Sequence, residues 1–150
     1  MRLIKKVYAY ITRGEQLLVF NHVDFPEAGI QVPGGTLEPE ELPESAVLRE
    51  AEEETGLEGF QLAAYLGCDE IEFPDRIPGE RHQRHFYHLL CPKDAPENWQ
   101  HYENHPSEGP LVPILFDFYW LPIAEAKEVL NPYYTARLEE LGERLSGGFT

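Results

Sequence analysis

The sequence predicts an α/β fold on two observations: strand-like alternation on both sides of one acidic helical segment, and two further helical segments at the end of the chain. Val7, Ala9 and Ile11 alternate with Tyr8, Tyr10 and Thr12, and Arg13-Gly14-Glu15 punctuates the pattern before an apolar run over 17–20, which reads as a β-hairpin. Pro26, Gly29, Pro33, Gly34 and Gly35 make 21–35 a loop with at most a short strand at 30–32. A helix is predicted over 42–55, with Pro43 tolerated in its first turn and Gly56 placed where a left-handed terminating residue stands. Phe60, Leu62, Ala64 and Leu66 alternate with Gln61, Ala63 and Tyr65, and further strand-like runs occupy 84–91 and 111–121. Between them, 69–79 and 92–110 have the polar, Pro- and Gly-rich composition of surface loops that can carry binding groups. Helices over 123–130 and 133–145 close the chain, broken by Asn131-Pro132.

The length of 150 residues and a hydrophobic fraction of 42% suit one domain spanning 1–150. Twelve Lys and Arg against 27 Asp and Glu give a net charge of −15, which repels a nucleic-acid backbone and argues against long nucleic acid as a partner. A small anion can still bind where a divalent cation reverses the local field. The N-terminal apolar stretch ends at Arg13-Gly14-Glu15, too early for a signal peptide or membrane span, so a cytoplasmic location with no membrane partner is the expectation. Cys68 and Cys91 lack any metal-ligand or redox spacing and are expected to be buried thiols. A homodimer stays open.

The segment 35–57 carries the chemistry. At about 100° per residue, Glu50, Glu53 and Glu54 fall within one arc of a helix, Val47, Leu48, Ala51 and Thr55 on a neighbouring arc suited to packing on a sheet, and Glu52 roughly opposite. Like charges at these spacings repel by a few tenths of a kcal/mol per pair, and a hard divalent cation is the natural compensation. Such an ion neutralises charge on phosphoryl oxygens and activates water. An acidic run in an acidic protein is ordinarily a solvated helix face, and spacing decides against that reading here.

Gly35, Glu41, Arg49, Glu50, Glu53, Glu54 and Gly56 fill all seven fixed positions of a pattern that resembles the Nudix box, a coincidence expected on the order of once in a million chains. Ala51 stands where a larger aliphatic residue is usual, which touches packing and not the ligand set. The resemblance implies an α/β/α sandwich around a mixed sheet, and hydrolysis of a phosphoanhydride bond in a nucleoside diphosphate-linked or related small molecule. It also implies magnesium or manganese at Glu50, Glu53 and Glu54, with the Gly35 carbonyl as a further ligand. Arg49 then orients the catalytic carboxylates, and Glu41 holds the loop or binds metal indirectly.

Beyond the box, a distal acid is expected from Glu103 or Glu108, with Glu108 carried forward as the catalytic candidate. Arg76, Arg81 and Arg84 are the candidates for phosphate, which matches a guanidinium fork, although salt bridges compete for them. Phe25, Tyr102 and Tyr119 are candidates for base stacking. The histidines His82, His85, His88, His101 and His105 show no zinc spacing. Pro74 lies seventeen residues past Leu57, a placing similar to that in relatives that cleave ADP-ribose, although a loop proline is ordinarily a turn residue. Two other readings compete: a non-catalytic Nudix-fold module that senses a nucleotide or binds a protein should lack a box acid, and a prenyl diphosphate isomerase needs a positioned cysteine and acid.

Overall fold

A computed structural model describes residues 1–103 and 113–147. Its first strand, β1 (Arg2–Arg13), turns at Gly14 into β2 (Gln16–His22), but the two strands pair only at Thr12–Leu17 and Arg13–Gln16. Beyond the turn β2 leaves β1, and the vacated edge is taken by β3 (Gly34–Thr36), with Val7 opposite Gly35. The other edge of β1 runs parallel to β5 (Glu80–Leu90), which pairs antiparallel with the edge strand β4 (Gln61–Glu72). On the far side β2 pairs with β7 (Ile114–Pro122), and β7 with β6 (Asn98–Glu103). The order β4-β5-β1-β2-β7-β6 makes a mixed sheet.

Both faces of this sheet are covered, so the alternation in β1 separates two cores instead of core from solvent. Val7, Ala9 and Ile11 pack with Val47 and Ala51 of α1 (Pro43–Thr55). Tyr8, Tyr10 and Val19 pack with Ala126 of α2 (Ile123–Val129) and Leu141 of α3 (Leu138–Ser146). The result is the expected α/β/α sandwich. Helix α1 begins with Pro43 and ends at Gly56, whose φ of 76° is the left-handed stop. None of the described helices is long and apolar enough to cross a membrane.

Four expectations need correction. Gly34 and Gly35, assigned to the loop, belong to β3, while 30–32 makes isolated bridges, Ile30 with Leu130 and Gln31 with Phe20. Residues 69–72 and 98–103 belong to strands, because an edge strand with one wet face has the polar alternation of a loop. The last helix starts at Leu138: Asn131 accepts from the Tyr133 N–H, and Tyr133 and Tyr134 are tied into a 3-10 turn by Tyr8 and Tyr10. Cys68 and Cys91 are half-buried, not core.

Candidate active site

The carboxylates of α1 step from core to solvent. Glu54 adjoins the arc of Val47 and Ala51 and is 4% exposed, Glu50 is 2% exposed, and Glu53 is exposed. Burial of Glu50 is completed by β3, which passes over it so closely that a Cβ on Gly35 would land on the Glu50 carboxylate. Only glycine allows this approach. The neighbouring Gly34 N–H donates to Glu54 Oε1 at 2.7 Å and holds that carboxylate at the floor of a cleft.

Arg49 ties the acids together. Its Nε and Nη2 donate to the two oxygens of Glu41, both at 2.8 Å, a two-point clamp. Nη1 reaches Glu50 Oε1 at 3.0 Å and Glu53 Oε2 at 3.2 Å. The Arg49 hydrogen bond holds the Glu41 carboxyl below its ordinary range, and Glu41 in turn keeps Arg49 firmly protonated.

The fourth acid comes from β6. Trp99, His101 and Glu103 alternate onto the inner face of that strand: Trp99 Nε1 donates to the Thr55 carbonyl at 2.8 Å, and the His101 ring sits 2.6 Å from where a Cβ on Gly56 would be. Two residues on, Glu103 is buried, and Glu50, Glu53 and Glu103 offer oxygens within 4.8 Å of one another. Burial pushes the Glu50 carboxyl up to about 7; Arg49 opposes this, and Glu53 and Glu103 add to it. Burial, then the charges of Glu103 and Glu50, holds Glu54 well above the carboxylate range, while burial followed by Glu53 raises Glu103. Crowded, desolvated carboxylates resist ionisation until a cation compensates them. A donor set made only of carboxylate oxygens fits a hard ion such as Mg2+ or Mn2+.

Glu54, Glu103, Gly34 and Gly35 line a cleft of about 240 Å3. Lys6, Tyr8, Gln31 and Tyr134 line both this cleft and a neighbouring cavity of about 860 Å3, so the two adjoin.

The family model described as the NUDIX domain matches residues 3–143. The chain belongs to the Nudix family. By that membership the protein is a pyrophosphohydrolase, of a family that acts on small phosphorylated substrates. Among its relatives, mouse diphosphoinositol polyphosphate phosphohydrolase 3-alpha is 29% identical over 136 residues, 91% of this chain and 73% of that one. Two solved structures share the fold. A Nudix hydrolase from Nitrosomonas europaea has a TM-score of 0.68 at 20% identity and covers 95% of this chain and 90% of its own. A MutT Nudix hydrolase from Burkholderia pseudomallei gives 0.66 at 22%, with 93% and 98% covered.

In this Nudix chain the structure brings Gly35, Arg49, Glu50, Glu53 and Glu54 together with Glu103. Glu108 and His105 lie outside the described residues. Arg76 and Arg84 line the larger cavity, whereas Arg81 is on the outer surface of β4 and β5, bonded to Glu70 and Glu72. Arg84 is buried and committed: it clamps Asp69 with bonds of 2.8 and 2.7 Å and donates to the Tyr133 carbonyl. Phe25, Tyr102 and Tyr119 line neither cavity; the aromatic residues that do include Tyr8, Phe73, Tyr133 and Tyr134. Sequence reasoning missed these four, and the only signal was Tyr8 in a strand whose second face the helical tail would have to cover.

Proposed function

We propose that this protein hydrolyses a phosphoanhydride bond in a nucleoside diphosphate-linked or related small molecule, by attack of water at phosphorus, with Mg2+ or Mn2+ bound at the α1 cluster. The observation that carries the proposal is the convergence of Glu50, Glu53 and Glu103, with Glu103 and Glu54 lining the same cleft. Glu50, Glu53, Glu103 and the Gly35 carbonyl would hold the ion, and Glu54 is a ligand or proton acceptor. When bound, a divalent cation there would neutralise the diphosphate and the charge that develops on its oxygens during attack. Arg49 keeps the carboxylates in place, since it bonds Glu41, Glu50 and Glu53 at once. Glu54, held by the Gly34 N–H through one oxygen, would take a proton from the attacking water. Arg76, which lines the larger cavity, would meet a phosphate oxygen.

The mouse relative is itself named as a phosphohydrolase of diphosphoinositol polyphosphate, which is in keeping with this reading. The working unit is taken as one domain, in the cytoplasm. A panel of nucleoside diphosphate sugars, ADP-ribose, dinucleoside polyphosphates, nucleoside triphosphates, NADH, capped RNA and a diphosphoinositol polyphosphate, with product identification, tests the proposal. Turnover of at least one substrate is expected, lost in EDTA and restored by Mg2+ or Mn2+ but not by salt alone. No hydrolysis across the panel, or undiminished turnover in excess EDTA, overturns it.

A further inference from the structure

His22, the last residue of β2, lines the carboxylate cleft together with Glu54 and Glu103. Its place follows from strand register. Alternation along β2 puts His22 on the face of Phe20, the face packed against α1. Phe116 of β7 stands opposite both His22 of β2 and His101 of β6, and one alternation further along β6 Glu103 stands opposite Ile114. His22 and Glu103 therefore share a face two strands apart, with their backbones on the order of 10 Å from one another. The cleft they share, about 240 Å3, is far above the roughly 15 Å3 that admits one water and has room for a diphosphate.

Among the described residues, only packing holds the imidazole. Phe25 meets it edge-to-face at 5.0 Å between centroids and Phe116 at 5.7 Å, both at 79°. The Phe25 N–H donates to the His22 carbonyl at 3.1 Å, which turns Phe25 back onto the ring, and Phe116 is seated on Phe20 at 4.4 Å. Nδ1 is buried and has no hydrogen-bond partner among the described residues. A phenyl ring would fill the same space without leaving a buried polar atom unpaired, so packing does not account for an imidazole here. A buried lone pair is a smaller fault than a buried N–H without an acceptor, which places the proton of the neutral ring on Nε2. The ring thus offers a donor that is already fixed in place.

We propose that His22 is a further catalytic residue, whose Nε2–H donates a hydrogen bond to the phosphate that departs when water attacks the neighbouring phosphorus. This rests on the hydrolase reading above and adds a residue to that same site. The chemistry of the cleft supports it. Glu50, Glu53, Glu54 and Glu103 are acceptors, suited to a cation and to the attacking water, whereas phosphate oxygens need donors. Negative charge grows on the departing phosphate as the P–O bond breaks, and a donor fixed in advance stabilises it without reorganising. The bonding electron pair leaves with that phosphate, the proton of the attacking water goes to the acceptor at the cluster, and His22 neither gains nor loses a proton.

Three variants of the full chain test the assignment. His22→Phe keeps the packing and removes both nitrogens, His22→Gln carries a donor near the place of Nε2, and His22→Asn carries one near Nδ1. Each is titrated in Mg2+ with methylenediphosphonate, a diphosphate mimic that water does not cleave, and kcat and KM are measured on a substrate that the wild type turns over. His22→Phe is expected to keep the rise in Tm with Mg2+, to bind methylenediphosphonate at least about fivefold more weakly and to lose at least about tenfold in kcat. His22→Gln should stay within about threefold of wild type in both, and His22→Asn should follow His22→Phe. In the wild type, the His22 ring resonances should shift as methylenediphosphonate saturates. Wild-type binding and kcat in His22→Phe would overturn the proposal and leave His22 a packing residue. Loss of the Mg2+ shift in His22→Phe would overturn it too, since the ring would then support the carboxylate cluster, and rescue by Asn instead of Gln would overturn the choice of Nε2. Methylenediphosphonate binding that depends on His22, without turnover of any substrate, would leave the phosphate contact standing and sink the hydrolase reading. Turnover untouched by His22→Phe would do the reverse.

Discussion

Glu50→Gln should make the metal-free protein more stable and the enzyme much slower. The wild-type carboxyl is 2% exposed, and its rise from 4.5 to about 7 measures how strongly the fold disfavours its charge. That difference corresponds to roughly 3 kcal/mol. Glutamine keeps an oxygen to accept from Arg49 Nη1, now at 3.0 Å from Glu50 Oε1, but gives up the charge assistance of that bond, so a net gain of about 2 kcal/mol is expected at pH 8. For a chain of 150 residues this is a rise in Tm of roughly 4–8 °C. The pH dependence follows from the direction of the shift. A folded-state value above the unfolded one contributes stability that is complete below about 4.5 and is lost as the pH climbs through about 7. The gap between variant and wild type should therefore be closed near pH 4.5 and open by pH 8. Denaturant melts in EDTA at both pH values, with kcat at saturating Mg2+ measured alongside, make the assay; a loss in kcat of at least about 100-fold is expected. A variant less stable than wild type at pH 8, or an equal gap at the two pH values, would refute the reasoning that this charge is held against the preference of the fold.

Three further outcomes are expected. Glu54→Gln should lower kcat at least about 100-fold, while Glu52→Gln, on the solvent side of α1, leaves it within about twofold; equal activities would favour a solvated acidic face. Gly35→Ala should push the Glu50 carboxylate out of place, so Mg2+ should no longer raise Tm, and retention of the wild-type Mg2+ shift would show that β3 can yield there. His88, fully buried between Thr12 Oγ1 and Arg144, is held down to about 4 by burial first and then by the Arg144 charge. Its contribution, up to about 3 kcal/mol, is present above about 6.5 and lost as the pH falls toward 4; an NMR titration midpoint near 6.5 would contradict this.

The sequence by itself determined the local and periodic features. Pro43 and Gly56 bracket α1, and the 100° rotation puts Glu50, Glu53 and Glu54 on one side with Glu52 on the other, because helix geometry depends only on neighbours in the chain. The seven box residues were legible for the same reason, since they act within a single turn-and-helix unit. The tertiary structure alone decided which distant residues meet them. Glu103 reaches the cluster because Trp99 is bonded to the end of α1 and strand alternation carries the inward face two residues on, and β6 itself has the polar texture of a loop. Arg84 looked like a phosphate ligand by type, but its position opposite Asp69 in the β4–β5 register commits it to that partner. Tyr8 and Tyr133 are 125 positions apart and meet only when the tail folds over the second face of the sheet. Contacts between elements depend on register and layer packing, which no local pattern encodes.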